Sequence, residues 1–189
     1  MDAGGWRGRA VTHALARGAL IRTVPDFPRP GVQFRDITTL LKDAAGFRAV
    51  VERLAGAHRD VAIDKVVGIE ARGFIVGAAL AAELRLGFVP IRKQRKLPAE
   101  RFERDYALEY GSDRLEIHRD AIGRGERVLV ADDLIATGGT AEAALALVDV
   151  AGGTTVRCAF VVDLPDLGGR ARLKRRGVPT IALCAFAGH

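Results

Sequence analysis

"VLVADDLIATGGTAEAAL", residues 128 to 145, decides how the rest of the chain is read. Val128, Leu129, Val130 and Ala131 form a short continuous apolar run, the pattern of a strand buried on both faces in a parallel sheet. Asp132 and Asp133 mark the C-terminal end of that strand. After the turn Ala136-Thr137-Gly138-Gly139-Thr140, the residues Ala141, Ala144, Leu145 and Val148 recur at helical spacing, with Thr140 placed to cap the helix. The unit reads as strand, tight turn, helix. Such a turn suits an anion, because the first amides of a helix lack internal partners and the helix dipole adds positive potential. Gly138 and Gly139 carry no side chain to hold an oxygen at a distance, and the hydroxyls of Thr137 and Thr140 offer further donors. The acid pair one step earlier suits adjacent hydroxyls, such as those of a ribose. Taken singly, the acids are an ordinary strand end and the glycines an ordinary turn; their succession in one unit points to a sugar phosphate. Neither a GxxxxGK[ST] loop nor a GxGxxG after a strand competes with it.

Working outward, "KVVGIE" (65–70) reads as a buried strand, "GFVPIR" (87–92) as the next strand, and "CAFVVDL" (158–164) and "TIALCAF" (180–186) as two more apolar strand candidates. Helices are expected over Val11 to Thr23, from Leu40 to His58 and over Phe74 to Leu84. Strands alternating with helices predict an α/β fold: an open, mostly parallel twisted sheet flanked by helices, with ligands at the C-terminal strand ends. "PDFPRPGVQFRDI" (25–37) brings three prolines and a glycine together and predicts an irregular segment. The long polar piece from Lys93 to Ile122 ends in two alternating runs, a hairpin able to fold over a site.

Composition bounds the rest. With 189 residues, 49% hydrophobic and 28% charged, one soluble domain is the default. No segment approaches the roughly 20 apolar residues of a membrane span, and the N-terminus has no secretory core, so a cytoplasmic protein is expected. Cys158 and Cys184 sit in apolar runs and are expected to be packed thiols rather than metal ligands or a disulfide. The net charge of +6 suits nucleic acid, a small anionic substrate or a merely basic surface. No nucleic-acid motif follows, and the basic run Arg170 to Arg176 is expected to be a solvated helix face.

The opening stretch resembles the 5-phosphoribosyl-1-pyrophosphate (PRPP) motif of the type I phosphoribosyltransferases. "PDFPRPGVQFRDITTLL", "GIEARGFIVG", "VPIRK", "KLP", "YALEYG" and "LEIHRDAI" look like the adenine-specific members of that family, in the same order. The resemblance covers roughly Val24 to Val162. It implies a single domain over residues 1–189, with an N-terminal helix and base-binding hood over 10–40 and a flexible lid over 93–118. The implied reaction joins adenine to PRPP, giving AMP and pyrophosphate, in a homodimer without nucleic-acid or membrane partners. Mg²⁺ is expected on the PRPP oxygens, with no direct protein ligand.

Residue by residue, the resemblance assigns the ribose to Asp132 and Asp133 and the 5-phosphate to Ala136, Thr137, Gly138, Gly139 and Thr140. Pyrophosphate falls to Glu70, Ala71 and above all Arg72, whose planar fork matches a pair of oxygens. In the family this loop can carry a cis peptide, here between Glu70 and Ala71. Arg92, Lys93 and Lys96 add positive charge for pyrophosphate, in part across a dimer interface. Glu109 is the expected acid/base at the purine's imidazole edge, beside Tyr110; Glu103 and Glu116 compete by residue type and are expected to be solvated. Phe34 and Leu134 would sandwich the base, with the backbone at Gln33 and Arg35 reading its edge. Gln94-Arg95 stands where relatives commonly have a glycine before Lys-Leu-Pro. A phosphoribosyltransferase for another base stays open, as does a PRPP-sensing regulator that uses the basic surface.

Overall fold

The computed structural model describes residues 18–107 and 112–188. In chain order the strands are β1 (Arg22–Pro25), β2 (Gln33–Asp36), β3 (Lys65–Ile69), β4 (Gly87–Lys93), β5 (Arg101–Ala107), β6 (Ser112–His118), β7 (Arg127–Ile135), β8 (Thr154–Asp163) and β9 (Thr180–Ala185). The helices are α1 (Thr38–Leu41), α2 (Ala44–Gly56), α3 (Arg72–Leu84), α4 (Gly139–Val150) and α5 (Gly169–Arg175). Seven strands form one sheet in the order β5-β6-β4-β3-β7-β8-β9. The five from β4 to β9 run parallel, while the β5–β6 hairpin adds to the β4 edge antiparallel. From β3 the chain winds one way through α3 to β4, and from β7 the other way through α4 to β8. The crevice beyond β3 and β7 is therefore a topological switch point, where open α/β sheets bind ligands.

The central strands are apolar on both faces because both faces are covered. Leu129, Ala131, Ala159 and Val161 face a core shared with α2 and α3, through Val50, Leu54, Val76 and Leu80. Val128, Val130, Cys158 and Phe160 face the other way, onto Ala144, Leu145 and Val148 of α4 and Leu173 of α5. Alternate residues of one run thus serve two cores, which is why the run shows no polar alternation. Both cysteines are buried, as expected.

Several expectations are corrected. The proline-rich segment is not irregular throughout: β1 and β2 pair antiparallel from Arg22↔Asp36 to Pro25↔Gln33. Its prolines fall at the last position of β1 and in the connection to β2, as is usual for proline at a strand end. The helix over Val11 to Thr23 lies outside the described residues up to 17; Gly18 takes φ +67°, and Arg22 and Thr23 are strand. The helix expected from Leu40 to His58 is two helices. Asp43 breaks it by accepting the Gly46 N–H at 2.6 Å as the N-cap of α2.

Strand β7 runs past the acid pair, because β8 continues the ladder through Asp132↔Phe160 and Ile135↔Asp163. The two carboxylates thus sit within a strand rather than beyond its end, and both line one cleft. Thr140 caps nothing; Gly138 holds the N-cap position of α4 at φ +80°, a left-handed conformation that glycine adopts without steric cost. Glu116 is fully buried rather than solvated, with the Arg95 turn and Arg101 closing on its carboxylate. Its Oε1 accepts the Arg95 N–H at 2.7 Å and lies 3.2 Å from Arg101 Nε. Arg95, at φ +63°, holds a left-handed turn conformation. Glu103 is exposed as expected. The basic run forms α5, with Leu173 buried beneath an exposed cationic face.

Candidate active site

A cleft of about 450 Å³ opens at the switch point, lined by residues 70–72, Lys93, Tyr106, Asp113 and the continuous run 132–141. Its floor is the acid pair. Asp133 is buried and accepts a hydrogen bond from Arg72 Nε. The Arg72 guanidinium also lies 5.3 Å from the centre of the Phe34 ring, a cation–π contact that joins the cleft to the β1–β2 hairpin. Asp132, half-buried, accepts the Asp133 N–H on Oδ1 at 2.8 Å. Burial, and then the charge of Asp133, push the Asp132 carboxyl well above the ordinary carboxylate range. Gly73 makes this approach possible, because a Cβ there would stand 2.5 Å from Asp132 Oδ1.

One end of the cleft is the turn into α4. The helix's first i→i−4 bond runs from Glu142 N–H to Gly138 O at 2.9 Å, so the amides of Gly139, Thr140 and Ala141 precede it as helix-start donors. With the helix dipole behind them, they form an anion cradle. The wall from the hairpin carries Tyr106 and Asp113, which face each other in register. Tyr106 donates to Asp113 Oδ2 at 3.1 Å, and Lys93 Nζ lies 3.2 Å from the same carboxylate. Burial and Asp113 push the phenol up to about 12, so it stays a proton donor at neutral pH. Burial alone would raise Asp113, but the Arg114 amide and Lys93 outweigh it and lower its value. Glu70 Oε2 accepts the Lys93 N–H at 2.9 Å and Arg92 Nε at 3.2 Å, tying the loop after β3 to the end of β4. The Glu70–Ala71 peptide is cis.

An amide cradle, an acid pair and a loop carrying Arg72 thus surround one cleft. Residues 36–181 match the family model described as the phosphoribosyl transferase domain. An adenine phosphoribosyltransferase of Nitrosospira multiformis is 60% identical over 169 residues, covering 89% of this chain and 97% of that protein. The chain belongs to the adenine phosphoribosyltransferase family. Among solved members of the family, the Rhodothermus marinus enzyme superposes with a TM-score of 0.86 at 49% identity, covering 94% of this chain and 99% of that one. The Saccharomyces cerevisiae enzyme, complexed with adenine and D-2,5-dideoxy-2,5-imino-altritol 1,6-bisphosphate, superposes with a TM-score of 0.84 at 37% identity, covering 93% and 99%. The open sheet is thus the type I phosphoribosyltransferase fold.

Of the site residues expected on family grounds, Glu70, Ala71, Arg72, Lys93, Asp132, Asp133, Leu134, Ala136, Thr137, Gly138, Gly139 and Thr140 all line the cleft. Arg92 and Lys96 do not. Arg92 is committed to Glu70 and to the Lys96 carbonyl at 3.0 Å, and the Lys96 side chain is exposed. Gln33, Phe34 and Arg35 lie on β2 beside the cleft rather than in its wall. Phe34 packs edge-on to Phe27 with ring centres 5.2 Å apart. The Arg35 guanidinium bonds Thr23 Oγ1 and the Ala187 carbonyl and covers the Phe186 ring, so it fastens this hairpin to the C-terminal segment. Glu109 and Tyr110 fall outside the described residues. Tyr106 and Asp113 escaped the sequence reading; the signal lay in the strand alternation, which places them opposite one another once the hairpin register is known.

Proposed function

We infer that the chain transfers the 5-phosphoribosyl group of PRPP to adenine, giving AMP and pyrophosphate in purine salvage. The observation that carries this reading is the convergence of the amide cradle and the Asp132-Asp133 pair on one switch-point cleft, in a chain whose relatives act on adenine. The cradle at 136–140 takes the 5-phosphate and the acid pair takes the ribose hydroxyls. Arg72, paired with Asp133 before substrate arrives, exchanges that partner for the pyrophosphate and so frees Asp133 for the sugar. Substitution at C1 of the ribose passes through an oxocarbenium-like state, whose positive charge the carboxylates stabilise. Mg²⁺ would be carried on the PRPP oxygens with no direct protein ligand, since among the described residues no three carboxylates, histidines or cysteines gather as a metal site. Carried in this way, the ion would supply charge neutralisation for the leaving pyrophosphate.

Phe34 and Leu134 stack the purine, the backbone at Gln33 and Arg35 reads its edge, and Glu109, with Tyr110 beside it, exchanges the ring-nitrogen proton. The chain functions as one domain: residues 10–40 form the hood, and the segment 93–118 is a lid that keeps water from the C1 centre. We further propose a cytoplasmic homodimer in which Arg92, Lys93 or Lys96 serves the neighbouring copy's pyrophosphate. Incubation with PRPP, Mg²⁺ and each of adenine, hypoxanthine, guanine and xanthine in turn tests the function. AMP from adenine is the expected product; a nucleotide formed from another purine and not from adenine overturns the assignment. Glu109→Gln should lower turnover far more than PRPP affinity, and unchanged turnover removes its role.

A further inference from the structure

We infer that Gly169 and Arg172 are positioning residues for the 5-phosphate cradle, acting from a strap behind the turn that needs no ligand contact of its own. The inference rests on the phosphate reading of residues 136–140. The strap leaves β8 at Leu164, whose N–H donates to the Ile135 carbonyl at 3.0 Å, makes a 3-10 turn over Pro165–Leu167, and enters α5 at Gly169. Gly169 N–H then donates to the Ala136 carbonyl at 3.0 Å. In a trans peptide the C=O and the following N–H point in opposite directions. An Ala136 carbonyl held by the strap therefore fixes the opposite direction of the Thr137 N–H, in a turn whose residues line the cleft.

This contact leaves no space for a side chain. A Cβ on Gly169 would stand 2.3 Å from the Ala136 oxygen and 2.9 Å from the Gly138 nitrogen, both main-chain atoms. Seen from the other side, a Cβ on Gly138 would stand 3.0 Å from Gly169 Cα. The two glycines let strap and cradle pack backbone against backbone. Arg172 completes the brace: its Nε donates to Glu142 Oε2 at 2.8 Å, joining α5 to the first turn of α4. Leu173, fully buried, roots α5 in the core. The basic run at 170–176 thus has a task beyond solvation, since one of its arginines holds the helix that opens at the phosphate.

Steady-state kinetics on Gly169→Ala and Arg172→Leu, with thermal unfolding of both, test the brace. Gly169→Ala must push the 136–138 main chain aside, and its KM for PRPP is expected to rise on the order of tenfold while KM for adenine stays within about twofold. Arg172→Leu adds no clash and is expected to raise KM for PRPP by roughly threefold or more, again without moving that for adenine. A merely structural role would lower the melting temperature without separating the two KM values. If Gly169→Ala does not fold, Arg172→Leu decides. A PRPP KM within about twofold of the parent in every folded variant overturns the brace, provided that Gly139→Val, within the cradle itself, raises it. If Gly139→Val is also without effect, the phosphate reading itself fails.

Discussion

Replacing Asp132 by Asn should give a more stable protein and a far poorer enzyme. Asp132 Oδ1 accepts the Asp133 N–H at 2.8 Å, and the Asn carbonyl keeps that bond. Only the charge is lost, and the charge is costly: burial and Asp133 push this carboxyl well above its ordinary value of 3.8, while the nearby Arg72 is paired with Asp133. Two carboxylates in close contact repel by about 4 kcal/mol at an effective dielectric of about 20. Arg72 offsets part of this, leaving about 1–2 kcal/mol to be recovered, or roughly 2–8 °C in melting temperature for a chain of this size.

The sign of the pH dependence follows from the raised native value. The folded state holds this proton more tightly than the unfolded chain, so the parent loses stability as pH rises from about 3.8 through the native value. The advantage of Asn should therefore vanish near pH 4 and grow toward neutrality. The same substitution removes a charged acceptor for a ribose hydroxyl, worth about 1.5–3 kcal/mol, or roughly 10- to 100-fold in kcat/KM for PRPP. Calorimetry between pH 4 and pH 8, with steady-state assays, measures both. An unchanged or lowered melting temperature at pH 8, or the same difference at both ends of the range, refutes the repulsion argument. Unimpaired kcat/KM refutes the sugar contact.

Three further outcomes are expected. Phe34→Ala should raise KM for adenine by about three- to tenfold through lost stacking and leave that for PRPP within about twofold; an unmoved adenine KM returns Phe34 to a packing role. Arg22, with the Thr38 amide, holds Asp36 down to about 2, so the stability it contributes is present above the ordinary value of 3.8 and fades as pH falls toward 2. Asp36→Asn should flatten the melting-temperature profile over that window, and a profile parallel to the parent's excludes the contribution. Glu116→Ala leaves the Arg95 amide and Arg101 without their buried acceptor, which should cost about 2–4 kcal/mol in urea unfolding. Glu116→Gln should recover part of it, and equal midpoints for all three proteins would show that the buried carboxylate supports nothing.

Local patterns carried far in this chain. The apolar run at Val128 to Ala131, the acids after it and the glycine turn are neighbours in sequence, so a strand–cradle–helix unit could be read without knowing what packs around it. "KVVGI" announced itself likewise, because a strand covered on both faces must be apolar throughout, whereas "GFVPIR" buries only Val89 and Ile91, on one face. Where the reading went astray, the deciding partner was distant. Asp132 and Asp133 belong to the strand because β8 keeps pairing beside them. Proline-rich residues 22–36 close into a hairpin because each strand needs only four positions free of ladder conflict. Glu116 looked solvated in an alternating run, yet the Arg95 turn and Arg101 close on it from distant stretches of chain.

Sequence alone determined the α/β architecture, the glycine turn that opens a helix and the family, because each is written in contiguous residues whose chemistry acts over a few ångströms of chain. Tertiary structure alone decided which charges meet. It set Arg72 against Asp133 across 61 residues, brought Tyr106 and Asp113 to the cleft wall, and laid Gly169 beneath Ala136. Those contacts depend on strand order and register, and these follow from the burial of whole faces rather than from any local run of residues.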